Sequence, residues 1–86
     1  MQNRSSYNVL LLNDDETPME FVVLALERFF DMDYDDACRH MLCLHENGVA
    51  TCGTYFREEA EQKAADVLLF AGEHKHPLKC TLEEAN

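Results

Sequence analysis

The sequence predicts a small single-domain α+β fold, a three-stranded antiparallel sheet with three helices packed on one face, in the order β-α-α-β-α-β. Three observations support it. Short β-prone runs of strand length occur at 7–12, 49–55 and 79–83. Apolar residues recur at helical spacing between them. The switches between these patterns carry cap or turn signals, and no repeat, low-complexity tract or linker interrupts the chain.

The first strand is Tyr7-Asn8-Val9-Leu10-Leu11-Leu12, and it ends in Asn13-Asp14-Asp15. A helix start follows at once. Thr17 is a suitable N-cap, Pro18 suits the first helical position, and Glu20 falls where a capping-box acid reaches back to the cap. The polar residues between strand and helix allow two readings. Acids near a helix N-terminus complement its dipole, and Asn and Asp close turns on their own backbone. The same residues can also form a fixed cluster that accepts hydrogen bonds from a cation such as an ammonium group.

The first helix is expected from Pro18 to about Phe30, with Met19, Val22, Val23, Leu26, Phe29 and Phe30 on a broad apolar face. Phe21 and Leu24 widen that face, which predicts cover on more than one side. Asp33 caps a second helix, with Asp36 three residues on, and Ala37, Cys38, Met41, Leu44 and His45 recur at helical spacing. Gly48 ends it as a left-handed residue. Val49 to Tyr55 reads as a strand weakened or bulged at Gly53. Arg57 to about Glu73 is the longest helix, with Ala60, Ala64, Val67, Leu68 and Ala71 expected inward and Glu58, Glu59, Glu61 and Asp66 outward. His76-Pro77 imposes an extended turn before the last strand, Lys79 to Glu83.

Composition narrows the function. Eighty-six residues with 47% hydrophobic content suit one domain with a modest core, and a net charge of −10, 17 acids against 7 bases, repels phosphate backbones and anionic lipid. Nucleic acid and membranes are therefore excluded as partners, and basic or amine-bearing ones are favoured. No apolar run reaches membrane-spanning length and Met1 to Ser6 lacks a signal-peptide core, so a cytosol-like compartment is expected. Cys38, Cys43, Cys52 and Cys80 form no CxxC pair and are expected as free thiols. The Cys38, His40, Cys43 and His45 group is not a metal site. At ~100° per residue Cys38 and His45 share a helix face while His40 points away. No metal or other cofactor is expected.

Taken together, Leu11-Leu12-Asn13-Asp14-Asp15, Thr17-Pro18-Met19-Glu20-Phe21, Met41-Leu42, Leu44-His45, Cys52-Gly53, Glu58, Ala60-Glu61, Lys63, His76-Pro77-Leu78 and Cys80-Thr81-Leu82-Glu83 resemble the ClpS family from Tyr7 to Ala85. Members of that family are small adaptors that deliver N-degron substrates to a ClpAP-type AAA+ protease. The resemblance implies an adaptor domain over residues 7–86, preceded by a flexible remnant at 1–6 that is shorter than the family's usual extension. It implies that Asn13, Asp14 and His45 hold the α-amine of a substrate's first residue. Asp15, Thr17, Met19, Met41, Leu44 and Leu78 would line the pocket for that residue's bulky hydrophobic side chain (Leu, Phe, Tyr or Trp), with Met19 gating against β-branched ones. Glu58 and Lys63 would dock on the N-terminal domain of a ClpA-type unfoldase, in the bacterial cytoplasm or in the stroma of a plastid. Glu16, Leu44 and Phe56 depart from the family's usual residues. Leu44 should make the pocket shallower and disfavour Trp, and Phe56 removes a helix cap.

No catalytic set is recognisable, so the chain is read as non-enzymatic. Two other readings stay open on the residues: a regulator that binds the unfoldase without delivering substrate, and a hydrolase using Asp14, Asp15 and His45 as acid/base groups.

Overall fold

The computed structural model describes residues 5–85. The elements are β1 (Ser6–Leu12), α1 (Met19–Phe29), α2 (Tyr34–Asn47), β2 (Val49–Phe56), α3 (Arg57–Glu73) and β3 (Lys79–Glu84), in the expected order. Of the stretch at 1–6 expected to be flexible, residues 1–4 lie outside the described residues, and Ser6 opens β1 opposite Phe56.

β1 is the central strand, in the order β2-β1-β3, and both pairings are antiparallel. Its alternation sorts the two faces of the sheet. Val9 and Leu11 point into the core, where each is almost wholly buried, with Leu82 and Cys80 opposite them on β3. Asn8 points to the other face, accepting from the Thr54 hydroxyl at 2.6 Å and donating to Glu83 at 3.4 Å. One face is greasy and the other is polar, so the helices cover one side only. There α3 packs against all three strands, α2 leans on β2, and α1 packs against α2 and α3.

The bulge falls where Gly53 suggested. Val9 pairs with Gly53 but Leu10 with Thr51, leaving Cys52 as the extra residue. A side chain at 53 would meet the Tyr55 ring, with the phenol oxygen 2.5 Å from the position of a Cβ. Cys52 points inward instead. Burial, then the charge of Cys80, pushes its thiol to about 12 despite a hydrogen bond from Leu11, and burial pushes Cys80 to about 11. Cys52 is in the core and Cys80 is packed against it, and the raised values keep both thiols protonated at neutral pH. All four cysteines are free.

Two local expectations need correction. Thr17 does not cap α1. The N-cap position is Pro18, whose ring carries no acceptor; the Thr17 hydroxyl is turned to Asp14 at 2.8 Å, and the Thr17 amide that a capping-box Glu20 would take goes to Asp14 at 2.7 Å. Leu68 does not face inward either. It is 45% exposed, while Phe70 is buried. At ~100° per residue the two lie on opposite flanks of the Ala60–Val67 stripe, so periodicity alone cannot choose between them. Phe21 of α1 decides, because its ring stacks on Phe70 with centroids 4.8 Å apart.

The cap of α2 follows the sequence. The Asp33 carboxylate accepts from the Asp36 amide at 2.8 Å, and Gly48 closes the helix at φ 83° with its amide on the Leu44 carbonyl. Nothing lies within 4 Å of a Cβ built on Gly48, so alanine there would fit and only its backbone would object. Gly48→Ala should lower stability by about 1–2 kcal/mol in urea unfolding, with an unchanged m-value.

Candidate binding cleft

The cleft forms where β1 hands over to α1 and where α2 turns into β2. The Asn13 amide donates to the Gly48 carbonyl at 3.0 Å, so the first residue beyond β1 is tied to the residue that ends α2. His45 lies in the last turn of α2. This corner brings His45 to the polar cluster although 31 residues separate it from Asp14 in sequence (45 − 14).

Asp14 organises the bend. Its Oδ1 accepts from the amides of Glu16 at 2.8 Å and Thr17 at 2.7 Å, and its Oδ2 accepts from the Thr17 hydroxyl at 2.8 Å. Three of the roughly four acceptor positions of a carboxylate are thereby used within the turn, and the negative charge stays at the cleft wall. Partial burial resists ionisation. The Thr17 hydroxyl, the two amides and the charge of Lys79 together outweigh it, and the pKa lies below the ordinary 3.8. The two sequence readings of this stretch thus merge: Asp14 closes a turn on its own backbone and also presents an anionic wall.

Asn13, Asp14, Asp15, Thr17, Met19, Val22, Met41, Leu44 and His45 line a cleft of about 180 Å³. Its polar groups come from the β1–α1 bend and the end of α2. Val22 and Leu44 are buried and supply apolar wall, and Met19 stands 46% exposed at the mouth. A cavity of ~150 Å³ lined by apolar side chains suffices for a benzene ring. One aromatic or branched aliphatic side chain is therefore the natural guest. A cation beside it would meet Asp14, the Asn13 amide oxygen and the His45 imidazole. Among the described residues no group of His, Cys, Asp and Glu is arranged to hold a metal ion.

Of the residues that the family resemblance assigned to this site, eight line the cleft. Leu78 does not. It is buried in the core at 3% exposure, packed with the residues under the sheet and helices. Val22 lines the cleft and was read only as a core-face residue. Its position three residues after Met19, hence on the same helix face, was the available signal. Of the two docking residues, Glu58 is exposed in the first turn of α3. The Lys63 ammonium donates to the Phe29 carbonyl at 2.7 Å and lies 5.6 Å from the Tyr55 ring centroid. That bond satisfies an end carbonyl of α1 and complements its dipole, tying α3 to α1. Phe56 precedes α3 and provides no side-chain cap, as its replacement of a capping residue implied.

The fold and site define a small α+β domain with an ionised carboxylate at the edge of a partly apolar cleft. The chain belongs to the ClpS family: the model of that family, "ATP-dependent Clp protease adaptor protein ClpS", matches residues 2–81. It is 57% identical over 83 residues to the ATP-dependent Clp protease adapter protein ClpS of Caulobacter vibrioides, covering 96% of this chain and 76% of that one. The Zymomonas mobilis ClpS is 57% identical over 79 residues, 92% of this chain and 74% of the relative. Among solved structures, Agrobacterium tumefaciens ClpS2 bound to L-phenylalaninamide superposes with a TM-score of 0.91 at 39% identity, covering 93% of this chain and 96% of that one. Among the described residues no helix is long and apolar enough to cross a membrane.

The Asp14 bonds are open to direct measurement. Thr17→Val removes the hydroxyl that helps hold the carboxylate ionised, so the Asp14 pKa should rise in an NMR carboxyl titration. In the parent, a lowered folded-state pKa means that this group's stabilising contribution is present above its unfolded value and lost as pH falls through the folded one. An unmoved Asp14 titration in Thr17→Val would show that the hydroxyl bond contributes nothing.

Proposed function

We propose that the protein is a non-enzymatic adaptor that binds the free N-terminal residue of N-degron substrates and delivers them to a ClpA-type AAA+ unfoldase for proteolysis. The observation that carries this is the cleft itself, with an ionised carboxylate, an amide and an imidazole at one side of an apolar slot of about 180 Å³. A protonated α-amine has three N–H donors for three such acceptors, and the first side chain fills the slot. The ligand of the Agrobacterium relative supports the reading. L-phenylalaninamide has a free α-amine, a phenyl side chain, and an amide where a peptide bond would continue. Glu58 and Lys63 on the first half of α3 are proposed to face the unfoldase's N-terminal domain, Lys63 while it also braces α1. The bacterial relatives support a place in the bacterial cytoplasm.

Binding should require the charged amine. A peptide beginning with free Phe should bind and be recovered intact, while its N-acetylated twin should bind hardly at all in fluorescence anisotropy. Breaking a partly buried, charge-assisted pair typically costs about 2–5 kcal/mol, and Asp14→Ala should lose affinity on that scale. Equal binding of free and acetylated peptides would overturn the reading, and cleavage of the peptide would make the protein an enzyme. Affinity should fall above about pH 8, where an α-amine loses its proton. It should also fall at acid pH, as pH drops through the lowered folded-state pKa of Asp14 and the carboxylate facing the amine is neutralised.

Side-chain choice should follow the slot. The cleft volume is close to that of a benzene-sized cavity, so an indole fills it more tightly than a phenyl ring does, and buried Leu44 is one methylene larger than valine. Phe and Leu should therefore be bound best, with Trp disfavoured. Overfilling a packed apolar site costs about 1–3 kcal/mol, and Leu44→Val should recover part of that for Trp. An unchanged Trp-to-Phe affinity ratio in Leu44→Val would exclude Leu44 from specificity. Met19 at the mouth should act as a gate, so Met19→Ala should admit Ile and Val while retaining Phe.

A further inference from the structure

A second groove adjoins the cleft and has no assigned role. It runs between α1 and α2, lined by Met19, Val23, Leu24 and Glu27 with Tyr34 and Cys38, and shares Met19 and Met41 with the terminal-residue cleft. Its volume is about 390 Å³, roughly twice that of the cleft. The lining follows helical ridges: Met19, Val23 and Glu27 are spaced by four along α1, and Tyr34, Cys38 and Met41 by four and three along α2. The near end is therefore Met19 with Met41. At the far end the Tyr34 phenol is held above its ordinary range, first by Cys38 and further by the charges of Glu27 and Asp35.

Two features need a partner. Leu24 is 46% exposed and Tyr34 64% exposed, which leaves apolar surface in water. Glu20 and Glu27 rim it, and no described basic side chain forms an ion pair with either. A chain whose first residue sits in the cleft must leave past its mouth, where Met19 and Met41 open onto this groove. From Met19 to Glu27 the helix rises ~12 Å. An extended chain covers that in three to four residues at ~3.3 Å each.

We infer that this groove is the second subsite of the substrate, receiving residues two to four of the bound chain and favouring apolar side chains near Leu24 followed by a basic one near Glu27. The inference rests on the adaptor reading and adds a specificity that the terminal residue alone does not provide. Charge complementarity selects the occupant, because the rim repels acidic segments and attracts Lys or Arg.

The test uses labelled peptides that share a free N-terminal Phe and everything beyond residue four, with Leu-Leu-Lys or Ser-Ser-Glu at positions two to four. The first should bind about tenfold tighter. Leu24→Ser and Tyr34→Ala should each shrink that ratio, and Glu27→Lys should reverse the preference between Lys and Glu at position four. L-Phenylalaninamide, too short to enter the groove, should bind all four proteins alike and shows that the variants are folded. A ratio near one with phenylalaninamide still bound would overturn the subsite and leave the adaptor reading standing. Failure of both phenylalaninamide and the Phe peptides to bind the parent would overturn both. A concentration-dependent dimer abolished by Leu24→Ser, with the peptide ratio unchanged, would give the groove to a second copy instead. Loss of binding to the unfoldase's N-terminal domain in Leu24→Ser, again with an unchanged ratio, would give it to the unfoldase.

Discussion

One backbone hydrogen bond holds the architecture of the site, that from the Asn13 amide to the Gly48 carbonyl. Gly48 supplies that carbonyl at φ 83°, a conformation that costs other L-residues about 1–2 kcal/mol. Through it the end of β1 meets the end of α2 just as the β1–β2 ladder begins with Leu12 opposite Val49. The ladder, the helix terminus and the polar bend share one corner. Asn13, Asp14 and His45 lie together because that corner closes, and Leu44, one residue before His45, drops into the core at 2% exposure beneath them. The residue proposed for amine recognition and a core residue are thus neighbours on one helical turn.

Asp14 shows how a site residue can also be structural. A carboxylate facing solvent would adapt to a ligand by moving, and would give up conformational freedom on doing so. Here two amides and a hydroxyl from the next three residues hold it in place. The same bonds favour the charged form against partial burial, so orientation and ionisation have a common cause. The surrounding excess of acids, 17 against 7 bases, extends that bias over the surface and disfavours anionic partners at long range.

The helices are held by contacts between remote segments. Phe21 stacks on Phe70, Phe29 meets Phe70 edge-on at 5.3 Å, and Arg28 lies 5.0 Å from the Phe70 ring centroid. Lys63 adds its hydrogen bond to the Phe29 carbonyl. Together these hold α1 on α3 along its length, through Phe21 near its start and Phe29 at its end, while Met19 and Val22 line the cleft. Lys63 therefore has an internal function whatever it touches outside. A charge on a helix face reads from sequence as solvated, and only the fold reveals the carbonyl it reaches.

The sequence by itself determined the order of elements, the Asp33 and Gly48 ends of α2, the bulge near Gly53, and the polar cluster that follows β1. Each of these depends on residues a few positions apart: an alternation, a helical period, a carboxylate three residues before an amide, a glycine where the backbone turns left-handed. The motif resemblance added the residues of the cleft, most of which the structure brings together. Tertiary structure alone decided the rest. It turned α3 so that Phe70 rather than Leu68 is buried, put Val22 into the cleft and kept Leu78 in the core. It also carried His45 across to Asp14 and Lys63 across to Phe29. These choices turn on which atoms of distant segments come within ~3–5 Å of each other, and local periodicity contains no information about that distance.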